Sequence, residues 1–320
     1  MINQIFMKKL ALGLFIAMIA SFSIAACIAS NTGGYSLINQ SAFDVDETRS
    51  FSVDGLSEIN VNCSSPKVSI IPIDGSEVIV HLYGKSSSNK AGLDTSVAGK
   101  SLMIKYYQPK TYIINLSKTG EDLRLDVSIP RTYTSDIVAG TSSGDLNIEG
   151  FNLNKLVAET SSGNLYMKSF TSQNCELRSS SGNISVDNGS SDSFRGESSS
   201  GEIKLSNLQA KDSVCTSSSG AIVADKITGS FKADSSSGEV IVQYIAFEND
   251  IDISTSSGEV SIRLPQPANF ILNAQTSSGA IRNTFPLAGY YDRNHMTGTV
   301  GNGVNKINLV TTSGDISISD

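Results

Sequence analysis

One short string dominates this chain and limits what it can fold into. A run of serines and threonines, then glycine, then an aliphatic residue two places on, returns nine times. The glycines are Gly144, Gly163, Gly182, Gly201, Gly220, Gly238, Gly258, Gly279 and Gly314, at steps of 19, 19, 19, 19, 18, 20, 21 and 35 residues. Self-similarity at a fixed pitch marks a repeat architecture, whose units stack because none can bury its apolar face alone.

The flanks of the glycines alternate. Two residues after them stand Leu146, Leu165, Ile184, Ile203, Ile222, Val240, Val260, Ile281 and Ile316, and positions four after, five before and seven before are also mostly apolar or small. Polar residues fill the places between. Period-two alternation on both sides of a turn predicts two short strands meeting at a glycine corner, and the 3.6 period of a helix is absent. Stacked copies would pair each strand in parallel with its equivalent one coil later, about 4.8 Å away. The expected fold is therefore all-β, a single parallel β-solenoid of 19 residues per coil, right-handed because parallel connections favour that hand. Roughly four inward side chains per coil, at about 1.5–3 kcal/mol each, would supply most of the stability. Glycine is expected at the corner for its freedom to take positive φ, with the preceding hydroxyls bonding to turn backbone.

Outward positions test this register. Glu159, Arg178 and Glu197 fall four before successive glycines; Glu176 and Arg195, then Lys232 and Asp252, fall six before. Opposite signs thus sit one coil apart. Residues 132–320 form the regular part, with an insertion near 284–305. Residues 48–131 form a looser cap or wider coils, with strands expected near 57–62, 67–73, 77–83, 101–107 and 123–129. Pro130 and Pro265 each lie 14 residues before a repeat glycine, which suggests two related coils with an outward excursion.

The repeated S-S-G-(D/E/N)-(I/V) turns over residues 48–320 resemble those of a bacterial adhesin-like domain-of-unknown-function family. The resemblance implies a β-solenoid of the cell envelope, and it brings no functional residues to carry over.

The N-terminus indicates where the chain goes. Lys8 and Lys9 precede an apolar run from Leu10 to Ala26, and the first acid is Asp44. That is the layout of a secretory signal, residues 1–26. Ile24-Ala25-Ala26-Cys27 resembles the lipobox of bacterial lipoproteins, which implies cleavage before Cys27 and acylation of its thiol. An uncut anchor and an ordinary signal peptide are the alternatives. Multiple acyl chains would hold the chain at the membrane, on the extracytoplasmic face of a cell or outer membrane. Residues 27–47 read as a flexible tether. Loss of residues 1–26 removes two lysines and no acids, which takes the net charge from −7 to −9.

Few residues are suited to chemistry. With 24 Lys and Arg against 31 Asp and Glu, nothing favours nucleic acid. Two histidines leave little for metal or acid–base sites, and no cofactor or metal is expected. Cys63, Cys175 and Cys215 are expected to be free, since the last two lie two coils apart, beyond disulfide reach. His81, in a strand-like run, is expected to be structural. Tyr290, Tyr291, Asp292, Arg293 and His295 lie in the insertion, which is either a ligand-contacting loop or a cap over strand edges. Ser64-Ser65-Pro66-Lys67, Ser87-Ser88-Asn89 and Lys118-Thr119-Gly120 mimic elements of serine penicillin-binding enzymes, but in the wrong context and at the wrong spacing. Acids after the turn glycines, such as Glu239 and Glu259, read as solvated surface before cation ligands. Three readings of function result. The first is a non-enzymatic, lipid-anchored module binding glycan, cell-wall polymer or protein. The others are a β-helical polysaccharide lyase or hydrolase, which needs clustered carboxylates or an Arg or Lys base, and a self-assembling structural solenoid.

Overall fold

The computed structural model describes residues 42–108 and 121–320. The signal segment and Cys27 lie outside them. The described residues form 23 strands and no helix. Four central strands of similar length carry the repeat: β11 (Leu165–Ser179), β12 (Ile184–Ser198), β13 (Ile203–Ser217) and β14 (Ile222–Ser235). They pair in parallel, and β11 to β13 keep a nineteen-residue offset: Leu165 faces Ile184, which faces Ile203. Below them lie β8 (Asp136–Thr141), β9 (Leu146–Glu149) and β10 (Asn152–Thr160). Above lie β15 (Val240–Tyr244), β16 (Ile251–Thr255) and β17 (Val260–Arg263).

The expected inward columns are buried. Leu146, Leu165, Ile184, Ile203 and Ile222 form one of them, all fully excluded from solvent. A third side, which carries no motif, adds Phe151 and Leu153, Phe170, Leu208 and Ile227 to the core. Each coil therefore has three inward pairs rather than the two that the glycine flanks suggest. The strand pairs expected on either side of the glycine also merge: β11 to β14 each run from one glycine corner to the next, bending at Ser169, Asn188, Asn207 and Lys226, whose φ values are 52–57°.

The reason for glycine at the repeat corner differs from the expected one. None of the nine repeat glycines has positive φ. A Cβ on Gly163 would instead lie 2.0 Å from the carbonyl oxygen of Gly144, and one on Gly182 would lie 1.9 Å from that of Gly163. Each corner rests directly on the backbone of the corner beneath, so no side chain fits between them. Four of the hydroxyls three before the glycines act as expected: Thr141, Ser217, Ser235 and Thr255 accept the N–H of Gly144, Gly220, Gly238 and Gly258 at 2.9–3.2 Å, whereas those of Thr160, Ser179 and Ser198 are buried without a hydrogen-bond partner. The charge ladders also form, with Arg178 bonding Glu159 at 2.9 Å and Glu197 at 3.0 Å, and Lys232 3.7 Å from Asp252.

Both ends of the stack are interleaved. Towards the N-terminus, β2 (Glu58–Cys63) lies between β6 (Ser101–Tyr107) and β8, and β3 (Lys67–Ile73) lies between β7 (Asp122–Pro130) and β9. Towards the C-terminus, β22 (Asn305–Thr311) lies between β16 and β18 (Phe270–Thr276), and β23 (Ile316–Ser319) lies between β17 and β19 (Ile281–Asn283). The links β7–β8 and β17–β18 each step over one coil; Pro130 ends β7 just before the first, and Pro265 lies within the second. The last strand, β23, is thus internal to the stack.

Antiparallel strands finish both ends. β4 (Glu77–Ser86) pairs with β7, and β1 (Phe43–Ser52) with β4; β5 (Gly92–Ala98) pairs with β6. β1 includes Phe43–Glu47, the last residues of the expected tether. Val45 sets that boundary, because it is buried against the core. At the other end β21 (His295–Val300) runs along β18, and β20 (Ala288–Tyr291) along β21.

Candidate functional site

The main concavity is a groove of about 1350 Å³ that crosses five coils along the stack. It forms where the third side of each coil turns a corner, above inward residues that are small. Ser172, Ser191, Ala210 and Gly229 occupy successive floor positions, after Leu153 at the N-terminal end. Ser172 and Ser191 are buried, with their hydroxyls 3.3 Å apart, and Ser191 donates to the Ser193 carbonyl at 2.8 Å.

Beside the floor runs a column of uncharged polar side chains. Asn152, Thr171, Ser190, Gln209 and Thr228 face one another in register, one per coil. Parallel pairing spaces them by about 4.8 Å. The strand ladder already uses the backbone of these residues, so only side chains are available to a ligand.

The other rim is acidic. Glu58, Asp136, Asp192, Asp212 and Glu248 line the groove, against Lys211 alone. Lys211 sits 2.7 Å from Asp192. Asp212 accepts from the Ser230 hydroxyl at 2.7 Å, Asp136 from Asn154 at 2.7 Å and Glu58 from Ser101 at 2.9 Å. No histidine, cysteine or aromatic residue lines the groove. The hydrogen bond and charge of Asp192 raise the Lys211 pKa, which keeps the ammonium protonated. A lysine base needs the opposite shift.

The residues singled out from the sequence lie elsewhere. Cys27 is outside the described residues. Tyr290 and Tyr291 end β20 and are exposed, and Asp292 and Arg293 are in the turn that leads to His295 at the start of β21. The Tyr290 hydroxyl donates to Asp292 Oδ2 at 2.8 Å, and Asp292 Oδ1 accepts the N–H of Asn294 and of His295. The N–H of Asn294 above all, then the Tyr290 hydroxyl and the N–H of His295, hold the Asp292 carboxyl below its usual range. The turn is therefore self-satisfied, and β21 covers the edge of β18. Cys63, Cys175 and Cys215 are buried free thiols. Burial pushes Cys63 and Cys215 up to about 12 and Cys175 higher still, so all three are inert at neutral pH. His81 stacks on Tyr83 with ring centroids 4.6 Å apart, and its Nε2 lies 2.9 Å from Asp46 Oδ1. Among the described residues no group of three or more His, Cys, Asp or Glu is placed to hold a metal ion.

The groove is not evident in the sequence. Its signal was faint: small residues nine after Gly163, Gly182, Gly201 and Gly220, beside polar residues one position earlier.

Comparisons with known proteins agree with this architecture. No curated protein matches the chain. Among solved structures, a "putative adhesin" from Parabacteroides merdae superposes with a TM-score of 0.52 at 12% identity, covering 85% of this chain and 95% of its own. A second protein so named, from Parabacteroides distasonis, gives 0.51 at 12% identity, with 85% and 97% covered. At those identities the likeness is one of fold. The Toastrack DUF4097 family model matches residues 56–319, which takes in both interleaved ends and the whole groove, and the chain belongs to that family.

Proposed function

We propose that this protein is a non-catalytic binding module of the bacterial envelope, adhesin-like, which lays a linear polymer along its groove. The observation that carries the reading is the in-register column Asn152, Thr171, Ser190, Gln209 and Thr228 beside a floor of small residues. A repeating ligand can repeat its hydrogen bonds there from coil to coil. The coils wind right-handed, as parallel connections favour. Acylated Cys27 holds the chain to the extracytoplasmic face of the cell or outer membrane, and no cofactor takes part.

A lyase or hydrolase fits less well. Carboxylates and a lysine do line the groove, but Lys211 is held protonated by Asp192, against the need of a base. Envelope glycans screened against the mature chain test the reading. Retention without shortened products is expected, and product formation would overturn it. Thr171→Ala with Gln209→Ala, which removes two rungs of the polar column, should weaken retention while leaving the unfolding free energy within about 1 kcal/mol of the parent, because both side chains are exposed. For the anchor, Cys27→Ala should release the protein from membranes; a variant that stays bound would refute acylation as the tether.

A further inference from the structure

The groove's charge narrows the class of polymer, and this inference rests on the binding-module reading above. Of its five carboxylates, only Asp192 is paired with a cation among the described residues. Glu58, Asp136, Asp212 and Glu248 have hydroxyl or amide partners, or no side-chain bond at all. They are spread along the groove, near both ends and at the middle. Such a row focuses negative potential over several coils and repels any polyanion. It does not form a cation site, since no three of these groups converge.

The geometry points to a linear polymer that carries spaced amines and many hydroxyls, an amino-sugar chain, as the groove's ligand. Dispersed carboxylates match dispersed ammonium groups, and the column from Asn152 to Thr228 matches hydroxyls. A basic peptide shares the charge but not the second feature. Its affinity in an extended pose would come from main-chain pairing, and the strands beneath the groove have no free edge to offer it.

The test compares four probes on the mature chain by calorimetry at low and high salt: short glucosamine oligomers, their N-acetylated forms, oligogalacturonate, and a lysine-rich peptide of similar charge. Glucosamine oligomers should bind best and lose affinity as salt rises, with oligogalacturonate not binding. Asp136→Asn with Asp212→Asn should weaken glucosamine binding roughly three- to tenfold. Glu77→Gln with Asp94→Asn, an equal charge change on other strands, should leave it unaltered. Equal affinity for the acetylated and free oligomers would overturn the amine preference while leaving the binding-module reading intact. Preferred binding of oligogalacturonate or of the peptide would overturn it as well. Binding of none of the four would remove both the preference and the groove reading.

Discussion

Two of the three corners of each central coil obey opposite rules. At the repeat corner stands glycine, with ordinary φ. At the other stand Ser169, Asn188, Asn207 and Lys226, all with φ near 55° and all exposed. Conformational freedom alone would put glycine at the second corner and leave the first open to any residue. The space around each corner explains the reversal. At the first, successive backbones touch and no Cβ fits. At the second, side chains project into solvent, so the cost is the modest strain of a left-handed residue, which serine and asparagine reduce by local bonding. Close approach is absolute, while strain can be compensated elsewhere. Only the first corner therefore shows as a strict repeat.

The largest effect should come from breaking the first rule. In Gly182→Ala the new methyl would sit 1.9 Å from the Gly163 carbonyl oxygen and 2.5 Å from its carbon. Neither atom can retreat without parting two coils. A loss of about 3 kcal/mol is expected from urea unfolding, or failure to fold. Gly140→Ala is the control. It lies in β8, and its nearest neighbour to an added Cβ, the Glu159 carbonyl oxygen, is 4.0 Å away. There the change should be within about 0.5 kcal/mol. Similar losses at both sites would mean that spacing is not what selects glycine.

The same contrast explains what could be read from the sequence. The columns led by Leu165 and by Ala158 were legible because a rigid corner fixes their distance from it and alternation then follows. The expected strands at 57–62, 67–73, 77–83, 101–107 and 123–129 match β2, β3, β4, β6 and β7 to within a few residues. β1 and β5 were missed because they pair at edges, where alternation is weak: β5 buries only Leu93. The third side was hidden because Phe170, Gly189 and Leu208 occupy one column and share no chemistry. Packing links them instead: a Cβ on Gly189 would meet the Phe170 ring at 2.5 Å, so that glycine makes room for the ring. The interleaved ends left one trace, the matched prolines, which mark the steps over a coil without showing what is stepped over.

A smaller effect is expected on the outward face between the corners. Arg178 reaches Glu159, Glu176 and Glu197, and Arg195 also pairs with Glu197. Partial burial works against ionised Glu197, but bonds from Arg195 and Arg178 outweigh it and lower its pKa. A carboxylate with a lowered folded-state pKa stabilises the fold above its unfolded value, near 4.3, and this contribution is lost as pH falls through the folded value. Arg178→Ala should cost about 1 kcal/mol at low salt and less at high salt, since these groups are exposed. It should also flatten the acid limb of the stability profile below the usual carboxylate range. An unchanged limb would assign that limb to other acids.

The smallest effect carries the opposite sign and tests the second corner. Lys226 holds φ at 55° on an exposed bend, with no ion pair among the described residues. Glycine adopts that conformation without steric cost, but it also gains freedom in the unfolded chain. The released strain, about 1 kcal/mol, should slightly exceed the entropic penalty. Lys226→Gly is therefore expected to raise the free energy of unfolding by about 0.5 kcal/mol, whereas replacing glycine at the neighbouring repeat corner lowers it several-fold more. A clear loss in Lys226→Gly would mean that the lysine stem packs on the coil beneath. The second corner would then be held by side-chain contact, as the first is by contact between backbones.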